Sequence, residues 1–157
     1  MIKFKIIAFV PSFDTGVCKL ETIAFNKKVS QIKNVVIKLV SKDLPFAIER
    51  FCEKNNITNV MTLSDYKDAN HALRYGVAIS APSFLEGFFG RVVYIANIDG
   101  TIAYKEVVSE ITNEPNYDRI IKTVNLLTKK QEAYLRQKKQ LEGSNRPDRD
   151  RRPNREL

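Results

Sequence analysis

From Ile2 the chain alternates apolar and charged residues, then becomes continuously apolar through Ile6-Ile7-Ala8-Phe9-Val10. An unbroken apolar run predicts a strand buried on both faces of a sheet, the habit of a central parallel strand. Pro11 ends it. Val17, Leu20, Ile23 and Ala24 then recur at helical spacing and predict a helix with a modest apolar face, with Asp14 or Thr15 as N-cap and Asn26-Lys27-Lys28 at its end. Val35 to Val40 is a second β-branched run and a second buried strand. Leu44, Ala47, Ile48, Phe51 and Cys52 form a full helical stripe, capped by Ser41 or Asp43, with Pro45 in the first turn and Asn55-Asn56 at the close. Val60 to Leu63 reads as a short strand or extended edge, and Ala69 to Tyr75 as one or two helical turns ending at Gly76.

Val77 to Gly90 reads as a loop with apolar anchors, because Pro82, Gly87 and Gly90 interrupt Phe84, Phe88 and Phe89. These aromatics would line either an apolar substrate mouth or a subunit contact. Arg91 to Ala96 and Ile102 to Val108 are strands joined through Asp99-Gly100, a strong hairpin signal. Tyr117, Ile120, Ile121, Val124 and Leu127 stripe a last helix. The helix-linked early strands should be parallel, with right-handed crossovers, and the late pair antiparallel. The expected fold is therefore α/β and thioredoxin-like, a central mixed β-sheet flanked by helices. One such domain spans 1–128. A polar helical extension follows over 129–141. Residues 142–157 contain Arg as their only cation, two Pro and no aromatic, and are expected to be a disordered basic tail.

The 157 residues are 43% hydrophobic and 28% charged, the balance of one globular domain. The net charge is +8. Lys129–Leu157 carries ten Lys/Arg against five Asp/Glu, leaving only +3 on residues 1–128. The basic excess thus belongs to the tail, where a solvated segment is a better reading than an arm for nucleic acid or an anionic membrane. There is no apolar run of 18 residues and no signal-peptide pattern at Met1, so the expected location is the cytoplasm. Two cysteines and the lone His71 make no metal-ligand cluster, so no metal or cofactor is expected.

Chemistry concentrates at Pro11-Ser12-Phe13-Asp14-Thr15-Gly16-Val17-Cys18, the corner between the first strand and the first helix. A cysteine there is either a small buried hydrophobe or a nucleophile favoured by the unpaired N–H groups and positive dipole end of the helix. Thr15, three residues back, brings a hydroxyl within reach. Pro11 would shield the thiol, and Arg91 would supply positive charge. Cys52 lies in an apolar stripe and would serve either packing or redox chemistry. Seven residues into its helix is about 10 Å of rise. A disulfide needs Cα atoms about 4.4–6.8 Å apart, so pairing Cys52 with Cys18 would require helix ends to unwind. His71 reads as a surface residue, and Tyr94 and Tyr104 as packing on the hairpin. A Cys-x-x-Cys reductase is disfavoured because Cys18 lacks that partner.

The spacing Pro11, Thr15, Cys18 resembles the Pro-x-x-x-Thr-x-x-Cys motif of peroxiredoxins. The words Phe13-Asp14-Thr15-Gly16-Val17-Cys18, Asp43-Leu44-Pro45-Phe46-Ala47, Arg50-Phe51-Cys52 and Thr112-Asn113-Glu114-Pro115 resemble the thiol peroxidase branch, over residues 4 to about 127. The resemblance implies a thioredoxin-dependent peroxidase that reduces alkyl hydroperoxides and H2O2. Cys18 would be the peroxidatic nucleophile passing through a sulfenic acid, and Cys52 the resolving thiol in an intramolecular disulfide. Thr15 and Arg91 would assist catalysis and, with Pro11, bind substrate. Thioredoxin would be the reductant and a homodimer the assembly. The family carries several dozen residues ahead of the first strand seen here. The resemblance therefore implies a shortened front and an exposed apolar edge. The competing reading is a catalytically impaired, peroxiredoxin-like redox sensor or binding protein.

Overall fold

The computed structural model describes residues 3–67 and 70–144. Its elements are β1 (Phe4–Phe9), α1 (Gly16–Lys27), a 3-10 turn (Val29–Gln31), β2 (Val35–Ser41), α2 (Pro45–Asn55), β3 (Met61–Ser64), α3 (Asn70–Tyr75), a second 3-10 turn (Ser83–Leu85), β4 (Val92–Ala96), β5 (Ile102–Val107) and α4 (Tyr117–Ser144). The five strands lie in the order β3-β2-β1-β4-β5. β1, β2 and β3 are parallel, while β4 runs antiparallel to β1 and β5 antiparallel to β4. The fold is thus a mixed sheet flanked by helices, thioredoxin-like as the apolar runs indicated. α4 is one continuous helix through Ser144, past the expected boundary at 141. The rest of the expected tail, 145–157, lies outside the described residues.

Alternation splits the core in two. Ile6, Ala8, Ile37, Leu39, Val93 and Ile95 point to the face covered by α1, α2 and α4, through Cys18, Phe25, Ile48, Ile120 and Val124. Phe9, Val92 and Tyr94 point to the other face, where Ala72, Val77 and Phe89 cover them. Pairing of Ile6 with both Ile37 and Ile95 keeps each set in register.

Three local expectations are corrected. The buried stripe of α1 is Cys18, Glu21, Thr22 and Phe25, whereas Leu20 is 54% exposed. Glu21 and Thr22 look like surface residues until their partners are known: Arg91 for one, the Cys18 carbonyl for the other. Leu44 precedes α2 as its N-cap and is exposed; Pro45 opens the helix, and neither Ser41 nor Asp43 caps it. Phe89 is fully buried in the core rather than lining a substrate mouth or a subunit contact. Its segment folds back on itself through Ile79 N–H to the Phe88 carbonyl (2.9 Å) and Gly90 N–H to the Val77 carbonyl (2.7 Å), turning Phe89 onto Phe9.

Candidate active site

β1 ends at Phe9, and the chain turns from it into α1 across Pro11–Thr15. Thr15 is the N-cap residue, but its hydroxyl turns back to the Ser12 carbonyl (3.0 Å) instead of capping the helix. Pro11 and Phe13 are buried beneath the corner, and Phe13 packs on Phe51 of α2. Cys18 sits in the first turn of α1, with no exposed surface. Backbone N–H groups of such a turn have no intrahelical acceptor, and the dipole there favours negative charge.

The antiparallel pairing of Phe9 with Val92 puts the residue ahead of β4 beside this corner. That residue is Arg91, 2% exposed. Its Nη2 donates to Cys18 Sγ at 3.5 Å and to the Ile111 carbonyl at 2.8 Å, and its Nε donates to the same carbonyl at 3.3 Å. Its Nη1 donates to Glu21 Oε2 in a buried ion pair. Burial opposes the guanidinium charge, but Glu21 and Cys18 outweigh it and raise the Arg91 pKa. Burial pushes the Glu21 carboxyl up to about 7, against the pull of Arg91, and its Oε1 has no hydrogen-bond partner among the described residues. Tyr117, whose hydroxyl donates to Glu114 at 2.8 Å, is raised first by burial and then by that bond.

Asp43 secures the corner from the side of β2. Its carboxylate accepts the Ser12 hydroxyl (2.7 Å), the Phe13 N–H (2.8 Å) and the buried Ser41 hydroxyl (2.7 Å). The parallel strands β1 and β2 end at the same edge, which brings these groups together. Between α1 and α2 lies a cleft of about 570 Å³, lined by Phe13, Thr15, Lys19, Arg50, Phe51 and Lys54 among others. Cys52 opens the other way, into a groove between α2 and β3, where its Sγ is 3.3 Å from Thr62 Oγ1. Both cysteines are free thiols, Cys18 buried and Cys52 half-buried.

The structure thus brings Cys18 and Arg91 into contact, sets Thr15 and Pro11 on the same corner, and turns Cys52 toward a different groove. Sequence reasoning missed Glu21 and the role of Asp43. Glu21 is three residues after Cys18, hence on the same helical face, and that spacing was the available signal. His71 is mostly exposed, with Nδ1 2.7 Å from Asp65 Oδ1. The Tyr94 hydroxyl donates to the Tyr75 carbonyl and the Tyr104 hydroxyl to Glu106. Phe84 is exposed at 76% and does not line the cleft beside Thr15. No helix among the described residues is long and apolar enough to cross a membrane.

Comparison with known proteins converges on one group. The Redoxin family model matches residues 2–121. The chain is 40% identical over 123 residues to a thiol peroxidase of Oceanobacillus iheyensis, covering 78% of this chain and 73% of that protein. It is 43% identical over 123 residues to a thiol peroxidase of Aquifex aeolicus, covering 78% and 72%. Among solved structures it is similar to a peroxiredoxin-like protein from Aquifex aeolicus, with a TM-score of 0.76 and 42% identity, covering 81% of this chain and 73% of that one.

Proposed function

The chain belongs to the redoxin family, among its thiol peroxidases, and we propose that it reduces hydroperoxides through a thiolate at Cys18. The observation that carries this reading is the Arg91 guanidinium 3.5 Å from Cys18 Sγ, held by Glu21 and the Ile111 carbonyl. A fixed cation beside sulfur at a helix start favours the reactive anion. The thiolate attacks the terminal peroxide oxygen in line with the O–O bond. The S–O bond forms, the O–O bond breaks, sulfur becomes a sulfenic acid, and alkoxide or hydroxide leaves. Negative charge moves from sulfur to the leaving oxygen. Arg91, the first-turn N–H groups of α1 and the Thr15 hydroxyl are the donors for that moving charge once Thr15 releases the Ser12 carbonyl. Pro11 holds water away from the sulfur.

Cys52 is the resolving thiol in this reading. It faces away from the cleft beside Thr15. Bond formation with Cys18 therefore needs the first turns of α1 or most of α2 to unwind. Thioredoxin then reduces the disulfide, in the cytoplasm, with a second copy of the chain as partner. Cys18→Ser should abolish peroxide consumption, and surviving turnover would sink the mechanism. Full burial of Cys18 favours one rival, a redox sensor that oxidises but turns over poorly. Steady-state reduction of an alkyl hydroperoxide with a thioredoxin system separates the two: sustained turnover supports the enzyme, and a single oxidation event supports the sensor.

A further inference from the structure

Arg91 is one cation facing two acids. Its Nη1 is bound to Glu21 Oε2 and its Nη2 reaches Cys18 Sγ. Glu21 and Cys18 are both 0% exposed. The remaining Arg91 contacts go to the neutral Ile111 carbonyl. With both acids ionised, the cluster would bury two negative charges against one positive. With both protonated, it would bury an unpaired guanidinium. Either state is costly in a low-dielectric interior, whereas one negative charge for one positive is balanced. We propose that Glu21 and Cys18 share a single proton across Arg91, so that Glu21 holds it while Cys18 is a thiolate and releases it when the sulfur loses its charge. Glu21 is thus a positioning residue that acts on the sulfur through Arg91.

Two further observations agree. Glu21 Oε1 is buried without a hydrogen-bond partner among the described residues, a poor environment for an ionised carboxylate. The other titratable groups felt by Glu21 are Glu106 on β5 and Glu114 just ahead of α4; both are acidic and add to burial in favouring its protonated form. Tyr117, at the start of α4, feels the charge of Glu21 in turn.

Resting on the peroxidase reading, the step balances. Thiolate, protonated Glu21 and ROOH become sulfenic acid, ionised Glu21 and ROH. Sulfur is oxidised, the peroxide O–O bond is reduced, and the leaving alkoxide gains the proton that Glu21 gives up. The buried cluster carries one negative and one positive charge before and after.

The test is the thiolate absorbance of Cys18 followed against pH in a Cys52→Ser background, which needs neither substrate nor access to the sulfur. Two acids sharing one cation should titrate in two steps. Adding Glu21→Gln, which keeps an oxygen for Arg91 but removes the competing acid, should leave one step. That step should lie about one pH unit lower, making the thiolate about tenfold more abundant on the acid limb. A single step with Glu21 present would overturn the proposal. So would a shift to higher pH in the Gln variant, the result expected if Glu21 merely braced Arg91. If the Gln variant does not fold, the step count of the parent decides alone. Peroxide consumption is assayed separately, so an inactive chain with a two-step titration would refute the peroxidase reading and leave the shared proton standing.

Discussion

Cys18 and Cys52 are the two sulfurs of one chain, and they sit in opposite chemical settings. Cys18 is wholly buried at a helix start against a guanidinium contributed from 73 residues away. Cys52 is half-buried late in α2, and its sulfur meets a neutral threonine hydroxyl. Exposure alone would rank Cys52 as the reactive one. Charge and helix position rank them the other way, because the thiolate is the nucleophile. On the proposed function, the contrast teaches that the reactivity of Cys18 rests on the long-range pairing of β1 with β4, which delivers Arg91, and not on access to solvent. The sharpest way to break it is Arg91→Lys. Lysine keeps the charge but cannot reach Glu21, Cys18 and the Ile111 carbonyl at once. The reaction of Cys18 with peroxide should slow about 100-fold, the scale of losing one positioned donor. Alkylation of Cys52 should not change. Stopped-flow peroxide consumption reads the first and mass-resolved alkylation the second; an unchanged Cys18 rate would remove the basis of the contrast.

A smaller effect is expected from the corner itself. Asp43 ties Ser12 and Phe13 to Ser41 through three hydrogen bonds. Asp43→Asn keeps the shape but loses charge and acceptor capacity. Stability should fall by about 1–2 kcal/mol, read from the urea midpoint. Cys18 should slow as its helix start loosens, while Cys52 holds its rate. An unchanged midpoint would mean that the corner is secured elsewhere.

These pairs also mark where the sequence was legible. The β1 and β4 runs announce themselves, because central strands covered on both faces carry apolar residues at consecutive positions, and β2 reads as a strand from its β-branched run although its second face is only half-buried. The Asp99-Gly100 turn is equally plain, with Gly100 at φ +91° where a left-handed conformation is needed. The corner motif names Cys18 and Thr15 by spacing, since both lie within one turn of chain. Glu21 offered only its spacing from Cys18 as a signal, for the converse reason. A glutamate among Lys19 and Lys27 reads as solvated, and its partner is 70 residues away. Its burial also rotates the buried face of α1, which misassigned Leu20. Asp43 fits a helix-cap pattern equally well, and only the parallel register of β1 and β2 shows that it faces Ser12 and Phe13. Phe89 follows the same rule: its burial depends on a chain reversal that no local apolar period encodes.

The least disruptive change tests whether the two sulfurs are independent in the reduced fold. Thr62 Oγ1 lies 3.3 Å from Cys52 Sγ, on strand β3. A thiol is a weak donor and a weak acceptor, so this contact contributes little. Thr62→Val keeps the branched shape, suits a strand, and leaves Cys52 its packing beside the core. The expected change in stability is below about 0.5 kcal/mol, at the low end for a neutral hydrogen bond. Cys52 alkylation should change by less than about threefold, since no charge near the sulfur is altered. Cys18 should keep its rate, because nothing in its contact set reaches β3. A parallel change in the Cys18 rate would mean that the α2 and β3 groove communicates with the corner before any disulfide forms, and the two environments would then have to be treated as one.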